Sequence, residues 1–476
     1  MGYHFLQLWQ LSLLGIANAV TFSVSATPPS NASPRLNLAP IGVSLEFFAF
    51  PAYMNDVPST KQCLRNMQQH TGVWPPMRIG GTTGDRATYD ASSSAPVTYT
   101  VSKPGDAPAS LTFGPSFMSL ANTYGGKVTL GLNRRLNDQK NTLAAAAKAT
   151  SSMSNLEAIE LGNEPNFFTA SDPIAGGSAW TATREYASLV SWQSAIGSAL
   201  STTNIFSAGV YFGVSPMNNK ALAAVEGSAL GYVKDFSSHN YPQSQSTANL
   251  AALMSHSGIA SQVAPYRSEY SAAKSAGKDY VMGETNSATQ GGGGISPTFG
   301  SALWLMDYSM QLLLLGTKAI YFHQGTVGNC QYCWWGRYSM GAPYYGAYFA
   351  TLALAGADQI APLDSATTAY AGYGIYKGGK LVRILLYNSD YYASGTRTSQ
   401  SFTLTGLSAT SATAKRLTAP SATSRQDQGQ SPTVGGQTFE DGTCEIKGTA
   451  VNEAITVAGR SATVVLKASE ALLIEV

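Results

Sequence analysis

Charge is scarce in this chain. Only 12% of its residues are Asp, Glu, Lys or Arg, and the 29 cations and 27 anions leave a formal charge of +2. Such a balance provides neither the basic field that holds nucleic acid nor an acidic disordered tail. The expected partners therefore include no nucleic acid. Long apolar runs are missing as well. The stretch Phe5 to Ala19 is too short for a comfortable membrane span, and no later run reaches about 18 uninterrupted apolar residues, so no membrane partner is expected. There are only 5 histidines, with no ligand spacing such as HExxH, and a single Cys-x-x-Cys at Cys330 and Cys333, so neither a metal nor an organic cofactor is implied. No internal repeat of solenoid length is present, and no Lys-Ser/Thr follows the glycine run Gly291 to Gly294 to make it a phosphate cradle.

The Phe5 to Ala19 stretch ends in Ala17-Asn18-Ala19, the small-x-small pattern of a signal-peptidase site, although Met1 to His4 lacks the usual Lys or Arg. We expect a signal peptide over 1–19, cleavage before Val20 and a secreted, extracellular product. Asn31-Ala32-Ser33 is a glycosylation sequon in keeping with that route. In an oxidising compartment Cys63, Cys330, Cys333 and Cys444 allow three pairings that spacing does not separate. Cys330 and Cys333 lie in a Trp/Tyr-rich loop, where a loop-stiffening disulfide fits better than a redox or zinc role.

At 476 residues the chain exceeds one ordinary domain. Over 37–356 short apolar runs alternate with helical patterns, the signature of βα units. Eight candidate strands emerge: Ile41 to Phe47, Met77 to Gly80, Lys127 to Leu132, Leu156 to Leu161, Ile205 to Val210, Val233 to His239, Tyr280 to Gly283 and Ala319 to Phe322. Helices are expected over Ser59 to Gln69, Asn141 to Ser152, Thr183 to Leu200 and Phe299 to Leu315. Eight such units predict a (β/α)8 TIM barrel, whose chemistry sits at the C-terminal ends of its strands. From 357 to 476, alternating stretches separated by Gly, Ser and Asp turns predict an antiparallel β-sandwich. The alternating segment at 20–36 is expected to add a strand to it.

Two strand ends carry chemistry. Ala158-Ile-Glu-Leu-Gly-Asn-Glu-Pro-Asn166 is an apolar strand closed by proline, which puts Glu164 at the rim of strand four. Tyr280-Val-Met-Gly-Glu284 puts a second glutamate at the rim of strand seven. Glycoside hydrolysis needs such a pair, one carboxyl to protonate the leaving oxygen and one to attack the anomeric carbon, about 5 to 5.5 Å apart when configuration is retained. The plainer reading, two rim salt-bridge partners, explains one glutamate better than it explains two at matching strand ends.

The barrel resembles the heparanase-like β-glucuronidases of glycoside hydrolase family 79. The matching segments are Met77-Arg-Ile-Gly-Gly-Thr-Thr-Gly-Asp85, Gly131-Leu-Asn133, Glu160-Leu-Gly-Asn-Glu-Pro-Asn166, His239-Asn-Tyr241 and Gly283-Glu-Thr-Asn-Ser-Ala288, in that order across the barrel. The resemblance implies Glu164 as acid/base and Glu284 as nucleophile. It also implies Asn163 on the sugar 2-hydroxyl, Tyr241 bonded to the nucleophile, Arg78 and His239 in support, and Glu46 and Asn133 lining the sugar subsite. The implied function is exo-acting, retaining removal of terminal β-D-glucuronic or 4-O-methylglucuronic acid, with a β-glucuronide-containing carbohydrate or glycoconjugate as partner.

The pattern departs at Thr289, where the family has a tyrosine that contacts the uronate. Gly328 and Tyr332, in the loop after strand eight, are the remaining candidates for that contact. A barrel glycosidase for a neutral β-sugar, or a carbohydrate-binding barrel without turnover, are the alternatives. Among other residues, Glu160 reads as a paired structural carboxylate inside the barrel, and Asp85 and Asp90 as loop caps. Trp334 and Trp335 could stack on sugar or pack their loop, and His323 could touch substrate or be a hydrogen-bonded core histidine.

Overall fold

The computed structural model describes residues 19–476; the leader expected over 1–19 therefore lies, save Ala19, outside the described residues. Eight parallel strands close into a barrel by hydrogen bonds. They are β1 (Ile41–Glu46), β2 (Met77–Gly80), β3 (Val128–Leu132), β4 (Leu156–Leu161), β5 (Phe206–Phe212), β6 (Val233–Asn240), β7 (Asp279–Thr285) and β8 (Ile320–Gln324). Each pairs with its neighbours in sequence, and β8 closes on β1 with Ile320 opposite Ile41. A strand covered on both faces has no solvent side, and β3 accordingly reads Val-Thr-Leu-Gly-Leu with every residue buried.

Alternation along the strands sorts the two faces. Val43, Leu45, Ile79, Leu130 and Ile159 belong to the main apolar core. Ser44, Arg78 and Glu160, on the other parity, hydrogen-bond to one another through Arg78 inside the barrel. Burying a cation there is tolerable only because every donor has a partner.

Helix boundaries follow local chemistry. Pro58–Thr71 stops where Gly72 adopts a left-handed φ of 77°. Gln139–Ser152 begins two residues before the expected Asn141, because Asp138 is the cap and its side chain accepts the Asn141 amide N–H. The helix Phe299–Leu315 is buried on nearly every side, which suits its place between the barrel and the second domain. Its first turn donates backbone N–H groups to Ser424 and Ala422.

That second domain packs a seven-stranded sheet against a three-stranded one, around Ile384, Leu386, Phe402, Leu404, Leu466 and Leu472. Val20–Ser23 runs parallel to Ser399–Thr405 in the smaller sheet. The strands Tyr370–Lys377, Ser411–Thr418 and Glu470–Glu475 join the larger one. Within Tyr370–Lys377, Gly372 and Gly374 weaken the local strand signal, and pairing with Lys380–Asn388 holds the strand.

The two domains are tied covalently by Cys63–Cys444 and electrostatically around His256. Its ring lies between Asp307 (2.8 Å) and Asp364 (3.0 Å), which raise its pKa to about 10 against the effect of burial. The second disulfide is Cys330–Cys333, in the loop after β8.

Candidate active site

Glu164 and Glu284 meet at the C-terminal mouth. Glu284 lies inside β7, with a fixed backbone, whereas Glu164 stands three residues beyond β4 in a left-handed turn with φ 45° and ψ 58°. Non-glycine residues seldom adopt that conformation, and it persists only where the surroundings hold it. Here the Glu164 amide donates to Val210 O at 3.1 Å, and Asn163 N donates to Asp85 Oδ2 at 2.7 Å. Carboxylate oxygens of the two glutamates lie within 4.8 Å of one another, with a nitrogen of His239 inside the same radius.

Their surroundings differ in kind. Glu284 Oε2 accepts from Arg78 at 2.6 Å, its Oε1 accepts from the Tyr241 hydroxyl at 2.7 Å, and His323 Nδ1 stands 3.6 Å away. Burial alone would raise this carboxyl, but His323, His239, Arg78 and the Tyr241 hydrogen bond together hold it near 2. Burial also raises Glu164, and there the negative Glu284 adds to it, so Glu164 is pushed up to about 8. Between them His239, lowered to about 4 by burial and then by Arg78, is neutral near pH 7, and its Nδ1 sits 3.0 Å from Glu164 Oε1. At neutral pH one carboxyl is ionised and the other carries a proton.

Arg78 is the hub. It donates through Nε to both oxygens of Glu160, through one terminal nitrogen to Ser44 and Glu284, and through the other to Asn163 Oδ1 at 2.9 Å. Glu160 is thus the paired structural carboxylate its position on β4 suggested. Glu46, at the end of β1, accepts from Thr83 and lies 3.1 Å from His323 Nε2, so three neighbouring strand ends form one wall. Gly81, with φ 85°, makes this possible: a Cβ there would stand 2.5 Å from Glu46 Oε2.

Tyr332 reaches the site, its ring 6.0 Å from Tyr241 and 6.1 Å from His323. Two sequence candidates are not brought in. Asn133 has both ends of its amide committed to backbone, donating to Ala87 O and accepting from Leu136 N, so it braces the loop after β3 instead of lining the subsite. Gly328 is exposed at a loop tip with φ 80°, a turn position and not one of the groups around the carboxylates. Trp334 and Trp335 are fully buried and pack their loop. His323 joins Glu46, Ser44 and Glu284, and Asp85 ties the loops after β3 and β4 together.

Sequence reasoning missed Ser44 and Thr83. The available signal for Ser44 was its i, i+2 relation to Glu46 on one strand face. Glu164, His239 and Glu284 are also the set of donors among the described residues that could surround a cation. Arg78, 2.6 Å from Glu284, already supplies the positive charge there and disfavours a second. A cavity of about 680 Å³ opens at the opposite end of the barrel, among Lys127, Lys234, Lys318 and Asp279, far from this chemistry and on the face that serves stability.

A closed barrel with this carboxyl pair at its C-terminal rim defines the class, a barrel glycoside hydrolase. Residues 372–473 match the glycosyl hydrolase family 79 C-terminal beta domain. A β-glucuronidase of Neurospora crassa is 30% identical over 432 residues, covering 79% of this chain and 76% of that protein. A β-glucuronidase of Aspergillus niger is 29% identical, covering 77% and 74%. The solved 4-O-α-L-rhamnosyl-β-D-glucuronidase of Fusarium oxysporum is 65% identical, with a TM-score of 0.95 over 96% of this chain and 100% of that one. A family 51 arabinofuranosidase of Xanthomonas axonopodis, 13% identical with a TM-score of 0.63 over 96% and 98% of the two chains, shares the fold alone. The chain belongs to glycoside hydrolase family 79.

Proposed function

We propose that this protein is a secreted, exo-acting β-glucuronidase that works with retention of configuration, Glu284 serving as nucleophile and Glu164 as acid/base. The observation that carries the mechanism is the pair of facing carboxyl groups within 4.8 Å, one held ionised and one held protonated. Ionised Glu284 attacks the anomeric carbon while Glu164 gives its proton to the departing oxygen, leaving a glycosyl ester on Glu284. Glu164, now a carboxylate, takes a proton from water, which displaces the ester and frees the sugar. Arg78 and Tyr241 each hold one oxygen of the attacking carboxylate and so fix its orientation. The Asn163 carbonyl oxygen is occupied by Arg78, which leaves its NH2 as the donor for the 2-hydroxyl. Two disulfides are in keeping with an extracellular product.

The substrate class rests on the relatives, two of them β-glucuronidases. The 65% identity to a rhamnosyl-glucuronidase favours a second form of the same reading, in which the glucuronate carries α-L-rhamnose on O4. Glucuronides with O4 free, methylated or rhamnosylated, assayed beside the matching glucosides and xylosides, separate these forms. A preference for glucuronate of at least about tenfold in kcat/KM is expected, since hydrogen bonds to a charged partner contribute about 1.5 to 3 kcal/mol each. Tyr332→Phe should erode that preference more than it erodes turnover of the neutral sugar. Equal turnover of glucosides and glucuronides would remove the substrate claim and leave the two glutamates in their roles.

A further inference from the structure

Phe167 and Phe168 are adjacent yet have opposite fates. Phe168 is 6% exposed and packs its ring near Trp180 and the Arg134 and Arg135 guanidinium groups. Phe167 is 55% exposed, one of the most exposed large apolar side chains among the described residues. Single apolar residues on a surface are ordinary. This one is the outer end of a row of rings that begins at Glu284. Tyr241, bonded to Glu284, stacks at 6.3 Å and 15° on Phe212, and Phe212 lies 5.4 Å from Phe167.

The row is held in place. The Asn166 side chain donates to Phe212 O at 3.2 Å and accepts from Phe212 N at 2.9 Å, which locks the turn after Glu164 onto the end of β5. The Phe167 amide donates to Glu164 O at 2.9 Å. Phe167 therefore has a fixed position relative to the proton donor. A cleft of about 40 Å³ separates it from Glu164 and is edged by Thr82, Arg135 and Asn163.

The reaction decides what lies there. The anomeric carbon must sit against Glu284 and the glycosidic oxygen beside Glu164, so the leaving group extends past Glu164, where the cleft it shares with Phe167 lies open to receive it. A pyranose presents a face of C–H groups suited to an aromatic ring and hydroxyls suited to a polar edge. Arg135 is already neutralised by Asp172 at 2.7 Å, so no free cation there calls for an acidic sugar. We propose that Phe167, backed by Phe212, is the floor of a leaving-group subsite for a neutral pyranose. The subsite rests on the glucuronidase reading above and adds the sugar on the far side of the bond.

The test compares kcat/KM of the wild type, Phe167→Ala and Phe167→Trp on two kinds of donor. One is β-D-glucuronyl fluoride, whose leaving group is a single atom. The other is a panel of β-D-glucuronyl hexoses, each with and without rhamnose on O4. Phe167→Ala is expected to lose at least about fivefold more on the hexosides than on the fluoride, chiefly through KM, and Phe167→Trp to recover most of it. Equal losses on the two kinds of donor, or no loss on the hexosides, would overturn the subsite. A wild type inert toward fluoride and hexosides alike would overturn the glucuronidase reading itself, and the subsite with it.

Discussion

The two walls of the barrel mouth hold the same residue type in opposite states. On the β7 side Glu284 faces Arg78, His323 and the Tyr241 hydroxyl, a wall of donors and positive charge. On the β4 side Glu164 faces neutral His239 and the charge of Glu284, with no cation in direct contact among the described residues. Burial is common to both and would raise either carboxyl; the fixed partners decide which one ionises. The division of labour is therefore written in the neighbours, and exchanging neighbours should blur it.

The largest effect is expected on the donor-rich wall. Glu284→Ala should lower turnover of every glycoside by roughly four orders of magnitude or more, whatever the leaving group, because no nucleophile remains. A variant that kept a tenth of wild-type activity would remove Glu284 from that role. On the opposite wall, Glu164→Gln should slow substrates with poor leaving groups by roughly a hundredfold or more, and activated aryl glycosides far less, since only the former need full protonation of the departing oxygen. Steady-state rates across a leaving-group series check this, and uniform losses would contradict it.

The pH profile sharpens the comparison. In the proposed mechanism Glu284 must be ionised and Glu164 protonated, so activity should fall as pH drops toward about 2 and again as pH rises through about 8, leaving a plateau at mildly acid pH. Tyr241→Phe removes a hydrogen bond to the ionised form of Glu284. The Glu284 pKa should rise, the acid limb should move to higher pH, and kcat/KM should fall by about ten- to a hundredfold. Stability carries the same sign. Glu164 has a raised pKa, so its folded-state cost grows as pH climbs from its ordinary 4.5 toward about 8. Glu164→Gln should therefore gain thermal stability over the wild type across that interval, measured as Tm against pH.

The smallest effect on catalysis is expected far from both walls. Breaking Cys63–Cys444 by Cys63→Ser should destabilise by about 2 to 4 kcal/mol in calorimetry, because the bridge closes a long loop between the domains. The leaving-group dependence and both pH limbs should stay where they were.

Strand ends were the legible part of this molecule. Proline after Glu164 and the short apolar run before Glu284 mark barrel rims with local punctuation, and the eight strands follow from short apolar or β-branched stretches that need no partner to be recognised. Contacts that join distant segments were not legible. Thr83 and His323 reach Glu46 from two neighbouring strand ends, and Cys63 finds Cys444 across 381 residues. Asn133 misled for the same reason: its segment fits a family pattern, while its amide is consumed by Ala87 and Leu136, partners that no local pattern names.

The central claim, that Glu284 forms the covalent bond while Glu164 only moves protons, has one direct measurement. The enzyme is incubated with a 2-deoxy-2-fluoro-β-D-glucuronide bearing an activated leaving group, and the inactivated protein is digested for peptide mass spectrometry. The fluorine slows both steps and the good leaving group restores the first, so the ester accumulates. We expect one added 2-fluoroglucuronyl group, on the peptide holding Gly283-Glu284-Thr285, and none when Glu284→Ala is treated alike. Label recovered on Glu164 or elsewhere, or no label together with an inverted anomer in the first product seen by NMR, would contradict the account.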